Sequence, residues 1–341
     1  MLAALNNSTR WLPEAASTTA SHVDAIFYSL LWMSVILTVV IFGCITFFSF
    51  RYRRSAKGVN RILNGRFAVT LEIFWTVLPT FIGLGFFTWA AKVYIEQTRI
   101  PKNALEVYIV GKQWMWKAQH VEGPREINEL HVPAGMPVKL LMTSQDVIHS
   151  FFVPEFRTKR DVLPGRFQSA WFQATQQGEY HLFCAEYCGT EHSRMRGRIV
   201  VLATNEYENW LASFSTSQAP VVAGHSLFRQ FACDSCHGSN SSGRGPSLIG
   251  IFQKRVQIVG RGFREADETY LASSILNPSA EIVASYRATM PTYQGQINEE
   301  QIISLIAYIK SLSSTESGIR REETYFRSAT NQIPLTPVAR K

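Results

Sequence analysis

The chain has 341 residues, a formal net charge of +8 and an apolar content of 46%. This length is enough for two globular domains, and such an excess of positive charge is a common reason to suspect nucleic-acid binding. Much of the charge lies within residues 51–66, however, so the rest of the chain offers no basic stripe. The composition therefore argues against a nucleic-acid partner.

Two apolar runs predict a membrane anchor. Residues 26–50 and 73–91 contain no charged side chain, and either run can cross roughly 30 Å of hydrocarbon as a helix of about 20 residues. We therefore expect transmembrane helices at 26–50 and 71–93, preceded by an exported segment at 1–25. A cleaved signal peptide fits the first run less well, because the run exceeds a signal core and no basic segment leads directly into it.

The segment between the two helices, residues 51–70, sets the orientation. It is basic and contains no acidic residue, and its positive residues are Arg51, Arg53, Arg54, Lys57, Arg61 and Arg66. Loops rich in lysine and arginine stay on the cytoplasmic side of a membrane. We expect this loop to be cytoplasmic, with both termini and all that follows the second helix on the outer or periplasmic side of the cell (inner) membrane.

The next part of the chain, residues 95–214, has the pattern of an all-β domain. Short β-branched or alternating runs, such as residues 105–110 and 198–202, are separated by turn signals such as Leu163-Pro164-Gly165. Strands of this length at this spacing are typical of a small sandwich or barrel.

After a polar linker at 215–220 the pattern becomes helical. Residues 221–314 end in a run whose apolar positions follow helical spacing, namely Ile302, Leu305, Ile306 and Ile309. We expect an all-α domain at 221–314, followed by a polar tail at 315–341.

Two sets of soft metal ligands lie in the exported part, and the first lies between residues 149 and 195. It contains two thiols, two imidazoles and one thioether: Cys184, Cys188, His149, His192 and Met195. Zinc would not need the thioether, and a disulfide would leave both histidines unexplained. A mononuclear blue-copper site needs only one cysteine. Two thiolates can bridge two copper ions, so the pattern favours a dinuclear copper site, with zinc or a disulfide as alternatives.

The second set is Cys233-Asp234-Ser235-Cys236-His237. A C-x-x-C pair by itself could be a redox disulfide, but the adjacent histidine makes it the pattern of covalent c-type haem attachment. Cys233 and Cys236 would bind the haem vinyl groups, and His237 would bind the iron. Met290 is the only methionine after Met195, so its thioether is the candidate sixth ligand.

The residues around the first set resemble subunit II of the haem–copper cytochrome c oxidases. The similarity includes Leu163-Pro164-Gly165-Arg166, the loop from Cys184 to Met195 and, near the membrane, residues 71–79. It implies a cupredoxin fold that holds the dinuclear CuA centre. The implied copper ligands are His149, Cys184, Cys188, His192, Met195 and the carbonyl oxygen of Glu186.

The residues around the second set resemble cytochrome c. In Gly245-Pro246-Ser247-Leu248 the carbonyl of Pro246 would accept the N–H of the proximal histidine and so orient its ring. A subunit II that carries its own cytochrome c domain resembles the caa type of oxidase.

The resemblance assigns further roles to three residues, two of which have a simpler alternative. Trp114 would be the point at which electrons enter CuA, although a core tryptophan is the simpler interpretation. Glu72 would lie at the mouth of a proton path into subunit I, or would be a solvated carboxylate at a helix N-terminus. The side chain of Glu186 would bind a magnesium ion shared with subunit I.

Together these features predict the electron-accepting subunit of a proton-pumping terminal oxidase. Electrons would pass from a donor, such as a cytochrome c or an upstream reductase complex, through haem c and CuA to the catalytic subunit I, which reduces oxygen to water. Neither apolar run contains a histidine, so subunit I and other oxidase subunits must supply the oxygen-reducing centre. The alternatives are the CuA subunit of a nitric or nitrous oxide reductase and a membrane-tethered electron carrier.

Overall fold

The computed structural model describes residues 12–54, 65–214, 219–237 and 244–312. The predicted tail at 315–341 lies outside the described residues, as do the middle of the predicted cytoplasmic loop and most of the predicted linker. The chain divides into two compact units, which are described separately.

The first unit comprises Met1–Pro101 and Glu155–Arg157 and contains two long helices, α1 (Ala20–Arg51) and α2 (Gly65–Thr98). Each helix includes its predicted span and extends beyond it at both ends. Both are long and apolar enough to cross a membrane, and their large apolar side chains are exposed. A helix of 32 residues is roughly 48 Å long, so its ends extend past the hydrocarbon core of a bilayer.

The second unit, Lys102–Pro154 with Thr158–Lys341, starts with a two-sheet sandwich. The first sheet has the order β3-β2-β1-β5-β8 and consists of β1 (Leu105–Lys112), β2 (Met115–His120), β3 (Arg125–Ile127), β5 (Pro137–Ser144) and β8 (Gln168–Gln173). The second has the order β4-β10-β9-β6-β7 and consists of β4 (Glu129–Pro133), β6 (His149–Val153), β7 (Thr158–Val162), β9 (Gly178–Cys184) and β10 (Arg196–Leu202). Helix α3 (Thr204–Ala212) follows β10, the last strand of the sandwich. The all-β cupredoxin fold predicted from the sequence is confirmed.

The sandwich core is built by alternation along the strands. On β2 the buried side chains are at every second position, Trp116, Ala118 and His120, as the period of a strand requires. Large apolar side chains from both sheets are almost fully buried, among them Val107, Ile109, Leu140, Phe151, Phe172 and Ile199. This packed interior gives the loops at the sheet ends a rigid support.

The last domain is helical, as predicted, and also contains a short hairpin. Its elements are α4 (Pro220–Gln230), α5 (Asp234–His237), β11 (Arg255–Ile258), β12 (Gly262–Glu265), α6 (Glu268–Leu276) and α7 (Glu299–Ser311). Asn298 caps α7, because its side chain accepts the backbone N–H of Gln301 and the Gln301 side chain accepts the N–H of Asn298 in return. Helices α4 and α7 cross at Gly224, where an added Cβ would lie 1.9 Å from the carbonyl oxygen of Ser304. Only glycine allows this close approach.

Candidate metal centres

The predicted copper ligands come from one end of the sandwich. Cys184 is the last residue of β9 and Met195 immediately precedes β10, so the intervening loop is closed by two adjacent strands. The backbone N–H of Cys184 donates to the carbonyl of Met195 at 3.2 Å. His149 is the first residue of β6, which pairs with β9. The sheet thus brings residues 35 positions apart in sequence to the same place.

The structure brings all six predicted donor atoms together. The Sγ atoms of Cys184 and Cys188 are 3.8 Å apart and are not bonded. Cys184 Sγ lies 3.8 Å from His149 Nδ1 and 3.2 Å from the carbonyl oxygen of Glu186. Cys188 Sγ lies 3.4 Å from His192 Nδ1 and 3.7 Å from Met195 Sδ.

This arrangement gives each thiol its own histidine and its own weaker donor. A tetrahedral zinc ion uses four ligands, so two donors of this cluster would have no role around a single zinc ion. A pair of metal ions bridged by the two sulfurs uses all six. The donor set therefore fits the dinuclear copper centre that the resemblance implies, while its metal content remains a prediction.

Asp146 orients the His149 ring. Its carboxylate accepts the ring Nε2–H at 2.8 Å and the backbone N–H of Gln113 at 2.7 Å, which leaves His149 Nδ1 facing Cys184. Partial burial disfavours the charged carboxylate, but these hydrogen bonds hold the pKa of Asp146 below its usual value. Gly111 lies against the other side of the ring, and a Cβ there would be 2.9 Å from His149 Cδ2.

The two thiols differ in acidity. Burial favours the neutral form of Cys184, but hydrogen bonds from His149 and from backbone N–H groups lower its pKa to about 6. Burial and the negative charge of Cys184 raise the pKa of Cys188. Metal ions bind thiolates and displace their protons, so the hydrogen bonds that favour the Cys184 thiolate also favour metal binding at this sulfur.

Trp114 lies directly on the copper loop. Its indole N–H donates to the carbonyl of Cys188 at 3.1 Å, and the Gln113 side chain donates to the same oxygen at 2.8 Å. Gly189 allows this contact, because a Cβ there would lie 3.3 Å from the indole ring. The core tryptophan of this region is Trp116, which is 2% exposed. Trp114 itself is only partly buried, so it is not a core residue.

Two predicted residues have no side-chain partner among the residues that the structure describes. Glu72 is exposed and lies seven positions after Gly65, the first residue of α2. A helix dipole acts mainly within the first turn, so it does not explain a carboxylate at this position. The Glu186 side chain is also exposed, whereas its backbone carbonyl faces Cys184.

The haem-attachment motif lines a cavity of ≈ 360 Å³. Cys233, Cys236 and His237 lie on one side and Met290 lines the same cavity. His237 Nδ1 is 2.8 Å from the carbonyl oxygen of Pro246, the hydrogen bond that the resemblance implied. Burial, aided by the charge of Asp234, raises the pKa of the Cys233 thiol to about 11.

The cavity fits a flat apolar group bound to His237. Gly245 is packed so closely that a Cβ would lie 2.7 Å from His237 Cε1, so the ring orientation depends on this glycine. Phe228, Leu271, Leu305 and Ile309 form apolar walls. Glu281 also lines the cavity, and one of its carboxylate oxygens has no hydrogen-bond partner among the described residues. The donor set and the walls fit a covalently attached haem.

The sequence analysis assigned no role to Asp146, Gln113, Gly245 or Glu281, although Gly245 belongs to a motif that it singled out. A signal for Asp146 was present, because a carboxylate three positions before a ligand histidine can orient the imidazole. The other three act through backbone atoms, steric contact or position in the cavity, which their sequence neighbourhood does not reveal.

Three protein families match the chain in sequence order. "Cytochrome C oxidase subunit II, transmembrane domain" matches residues 5–88, "Cytochrome C oxidase subunit II, periplasmic domain" matches 104–204, and "Cytochrome c" matches 221–313. The chain is 27% identical over 311 residues to cytochrome c oxidase subunit 2 of Alkalihalophilus pseudofirmus, covering 86% of this chain and 87% of that protein. It is 29% identical over 240 residues to alternative cytochrome c oxidase subunit 2 of Bradyrhizobium diazoefficiens, covering 60% of this chain and 84% of that protein.

A solved structure is also similar to part of the chain. The periplasmic domain of subunit II of cytochrome oxidase of Bradyrhizobium japonicum is 29% identical to this chain. The match covers 36% of this chain and 100% of the solved one, with a TM-score of 0.34. The fold and the two donor sets define a membrane-anchored cupredoxin with an attached cytochrome c domain. The chain belongs to the cytochrome c oxidase subunit II family and has the domain composition of the caa type.

Proposed function

We propose that the chain is the electron-accepting subunit of a proton-pumping terminal oxidase. Electrons pass from an external donor through haem c and CuA to a catalytic subunit I that reduces oxygen to water. The observation that supports this proposal most strongly is the presence, in one chain, of the six-donor cluster and the cavity with the C-x-x-C-H motif. Together with the membrane helices, these two sites match a subunit that passes electrons to a membrane-embedded partner.

The residues of the chain hold and orient the two redox groups. His149, Cys184, Glu186, Cys188, His192 and Met195 bind the copper pair, and Cys233, Cys236, His237 and Met290 bind the haem. When bound, each group takes up and releases one electron at a time. Asp146 and the carbonyl of Pro246 fix the two ligand histidines, which limits rearrangement at the sites.

Three further assignments depend on the partner subunit. Trp114 is the contact through which electrons reach the copper site, because its indole is hydrogen-bonded to the Cys188 carbonyl. Glu72 marks the mouth of a proton path into subunit I, and the Glu186 carboxylate binds magnesium at the subunit interface. The loop after α1 is cytoplasmic and both redox domains lie on the outer side of the cell membrane in this proposal, which the basic residues of the loop support.

A purified complex tests the proposal. Membranes that express the full chain with its partner subunits should yield a complex that consumes oxygen when a reduced cytochrome is supplied. Cys188→Ser should remove the copper and at least nine tenths of the oxygen uptake, because a hydroxyl is a poor bridging ligand for copper. Cys44→Ser in α1 is the matched control and should retain both. Equal oxygen uptake in the two variants, or reduction of nitric oxide in place of oxygen, contradicts the proposal.

A further inference from the structure

Helix α7 has two buried faces with different partners. Leu305 and Ile309 line the haem cavity. Ile303 and Ala307 lie on the opposite face, in a buried apolar cluster with side chains from the outer face of the first sheet of the sandwich, namely Tyr108, Val110 and Leu141. Ile303 is 2% exposed. A helix that belonged only to a tethered domain would present polar residues on this second face.

Four charged side chains lie beside this apolar cluster. Glu106 and Lys139 belong to strands β1 and β5 of the sandwich, whereas Glu268 and Lys310 belong to α6 and α7 of the haem domain. We call these four residues the charge ring. Each ammonium contacts both carboxylates: Lys139 Nζ lies 2.7 Å from Glu268 and 3.4 Å from Glu106, and Lys310 Nζ lies 2.7 Å from Glu106 and 3.1 Å from Glu268.

The charge ring is largely removed from solvent. Its side chains are between 11 and 18% exposed. Burial opposes the charged forms, but the neighbouring opposite charges raise the pKa of Lys139 and lower the pKa of Glu268. A separate pair, Lys117 with Glu300, joins β2 to the start of α7 at 2.7 Å. Charges pack this way at an interface only if their partners stay in place, because an unpaired buried charge is strongly unfavourable.

We propose that the outer face of the first sheet is a built docking surface for the chain's own haem domain, held by the charge ring and by the apolar cluster around Ile303. The two domains then move as one body, and the linker at 215–220 does not set their separation. This inference goes beyond the proposed function, because it concerns domain assembly and holds whether or not electrons reach an oxidase.

The pattern of charge also selects the partner. On the sandwich side, the ring residues present one acid and one base, and Lys117 adds a second base. The haem domain presents the opposite charge at each of these positions: Glu268 and Glu300 face lysines, and Lys310 faces Glu106. An unrelated cytochrome with a surface of a single sign would meet a like charge at one of these positions, which is costly at an interface. The alternation of charge therefore makes this surface complementary to the chain's own haem domain.

Zero-length carbodiimide cross-linking tests this docking, because the reagent joins an amine to a carboxylate only when the two are in contact. The sample is the full chain in detergent with its haem and metal ions. Mass spectrometry should find the Lys117–Glu300 cross-link. Its yield should change little between low salt and about 0.5 M salt, because the charge ring that holds the two domains together is buried and buried charges are screened less than exposed ones.

Two variants in the charge ring make the test specific. Lys139→Glu places three carboxylates around one ammonium, and Glu268→Lys creates the reverse imbalance from the haem side. Each should lower the yield of the Lys117–Glu300 cross-link at least tenfold, while the absorption of the haem and the copper site shows that each domain is still folded. Lys102→Glu, the same charge change at an exposed position before β1, is the matched control and should leave the yield unchanged.

Two results would overturn the docking proposal. Absence of the Lys117–Glu300 cross-link in the unmodified chain would overturn the proposal, as would its persistence in both ring variants. If Lys139→Glu fails to fold, Glu268→Lys alone decides, because that change lies in the other domain. Oxidase activity plays no part in these readouts, so a failure of the docking proposal is distinguishable from a failure of the proposed function.

Discussion

Asp146→Asn tests how strongly the copper site depends on the group behind His149. The carboxylate accepts the His149 ring N–H at 2.8 Å, the Gln113 N–H at 2.7 Å and the Val147 N–H at 2.7 Å. An asparagine has nearly the same shape but only one oxygen acceptor. Its oxygen can replace Oδ1, which accepts from His149 and Val147, but its N–H₂ group then faces the Gln113 N–H, and the bond from His149 no longer ends on a charged acceptor.

The expected loss follows from these contacts. A hydrogen bond to a charged group contributes about 1.5–3 kcal/mol, so the loss of one such bond weakens the site by about 2 kcal/mol, or roughly thirtyfold in affinity. This agrees with the 10- to 100-fold effect that is typical, to an order of magnitude, of groups behind metal ligands. Most of this free-energy loss should appear in the affinity for copper, because Asp146 is hydrogen-bonded to the ring of the copper ligand His149.

Competition with a copper chelator measures the change on the full chain. Asp146→Asn should release copper at a roughly thirtyfold lower chelator concentration, and the paramagnetic resonance of the remaining copper should change because the His149 ring loses its charged acceptor. Glu191→Gln is the control, because this residue lies in the same loop but forms an exposed ion pair with Arg194 at 3.2 Å. An Asp146→Asn affinity within threefold of the control, about 0.6 kcal/mol, would refute the orienting role.

Three further changes test the haem domain and the sandwich. Met290→Ala should leave the haem covalently attached but remove the sulfur-to-iron absorption band and lower the reduction potential; a persistent band would show that another residue is the ligand. Gly224→Ala should lower the free energy of unfolding of the haem domain by about 1–3 kcal/mol, because α4 and α7 must separate, whereas Ser226→Ala on the exposed face of α4 should not; thermal melts followed at the haem band compare the two. Glu126 is buried, which favours its neutral form, yet hydrogen bonds from His120 and His131 lower its pKa from 4.5 to about 2. A carboxyl group whose pKa is lower in the folded state stabilises the fold at any pH above its pKa in the unfolded chain. This contribution is lost as the pH falls through its pKa in the folded state. Glu126→Gln should therefore be destabilising at neutral pH and should flatten the dependence of the melting temperature on pH between about 4.5 and 2; an unchanged slope would contradict this.

The fold was predictable wherever one local pattern decides the structure. The uncharged runs predicted both long helices, and the alternating or β-branched runs at residues 105–110 and 198–202 predicted the sandwich. The ends of α1 and α2 were not predicted, because polar residues next to an apolar run can continue a helix once it has formed. The hairpin of β11 and β12 was missed for a similar reason, since two strands of four residues give too short a pattern to recognise.

The candidate sites were predictable to the extent that ligand chemistry limits residue type. Thiols, imidazoles and thioethers are uncommon, so Cys184 and His149 could be grouped although 35 positions separate them. The supporting residues use common side chains or none, and their roles depend on three-dimensional contact. Gly245 matters only because His237 lies against it, and Glu106 matters only because Lys310 is brought to it across 204 positions.

The most direct test of the account is the metal content of the full chain together with its paramagnetic resonance spectrum. The six-donor cluster predicts two copper ions for each covalently bound haem, with one unpaired electron shared equally between the two coppers in the oxidised form. One copper ion with an unshared electron, or zinc at the cluster in a chain that retains its haem, would contradict it.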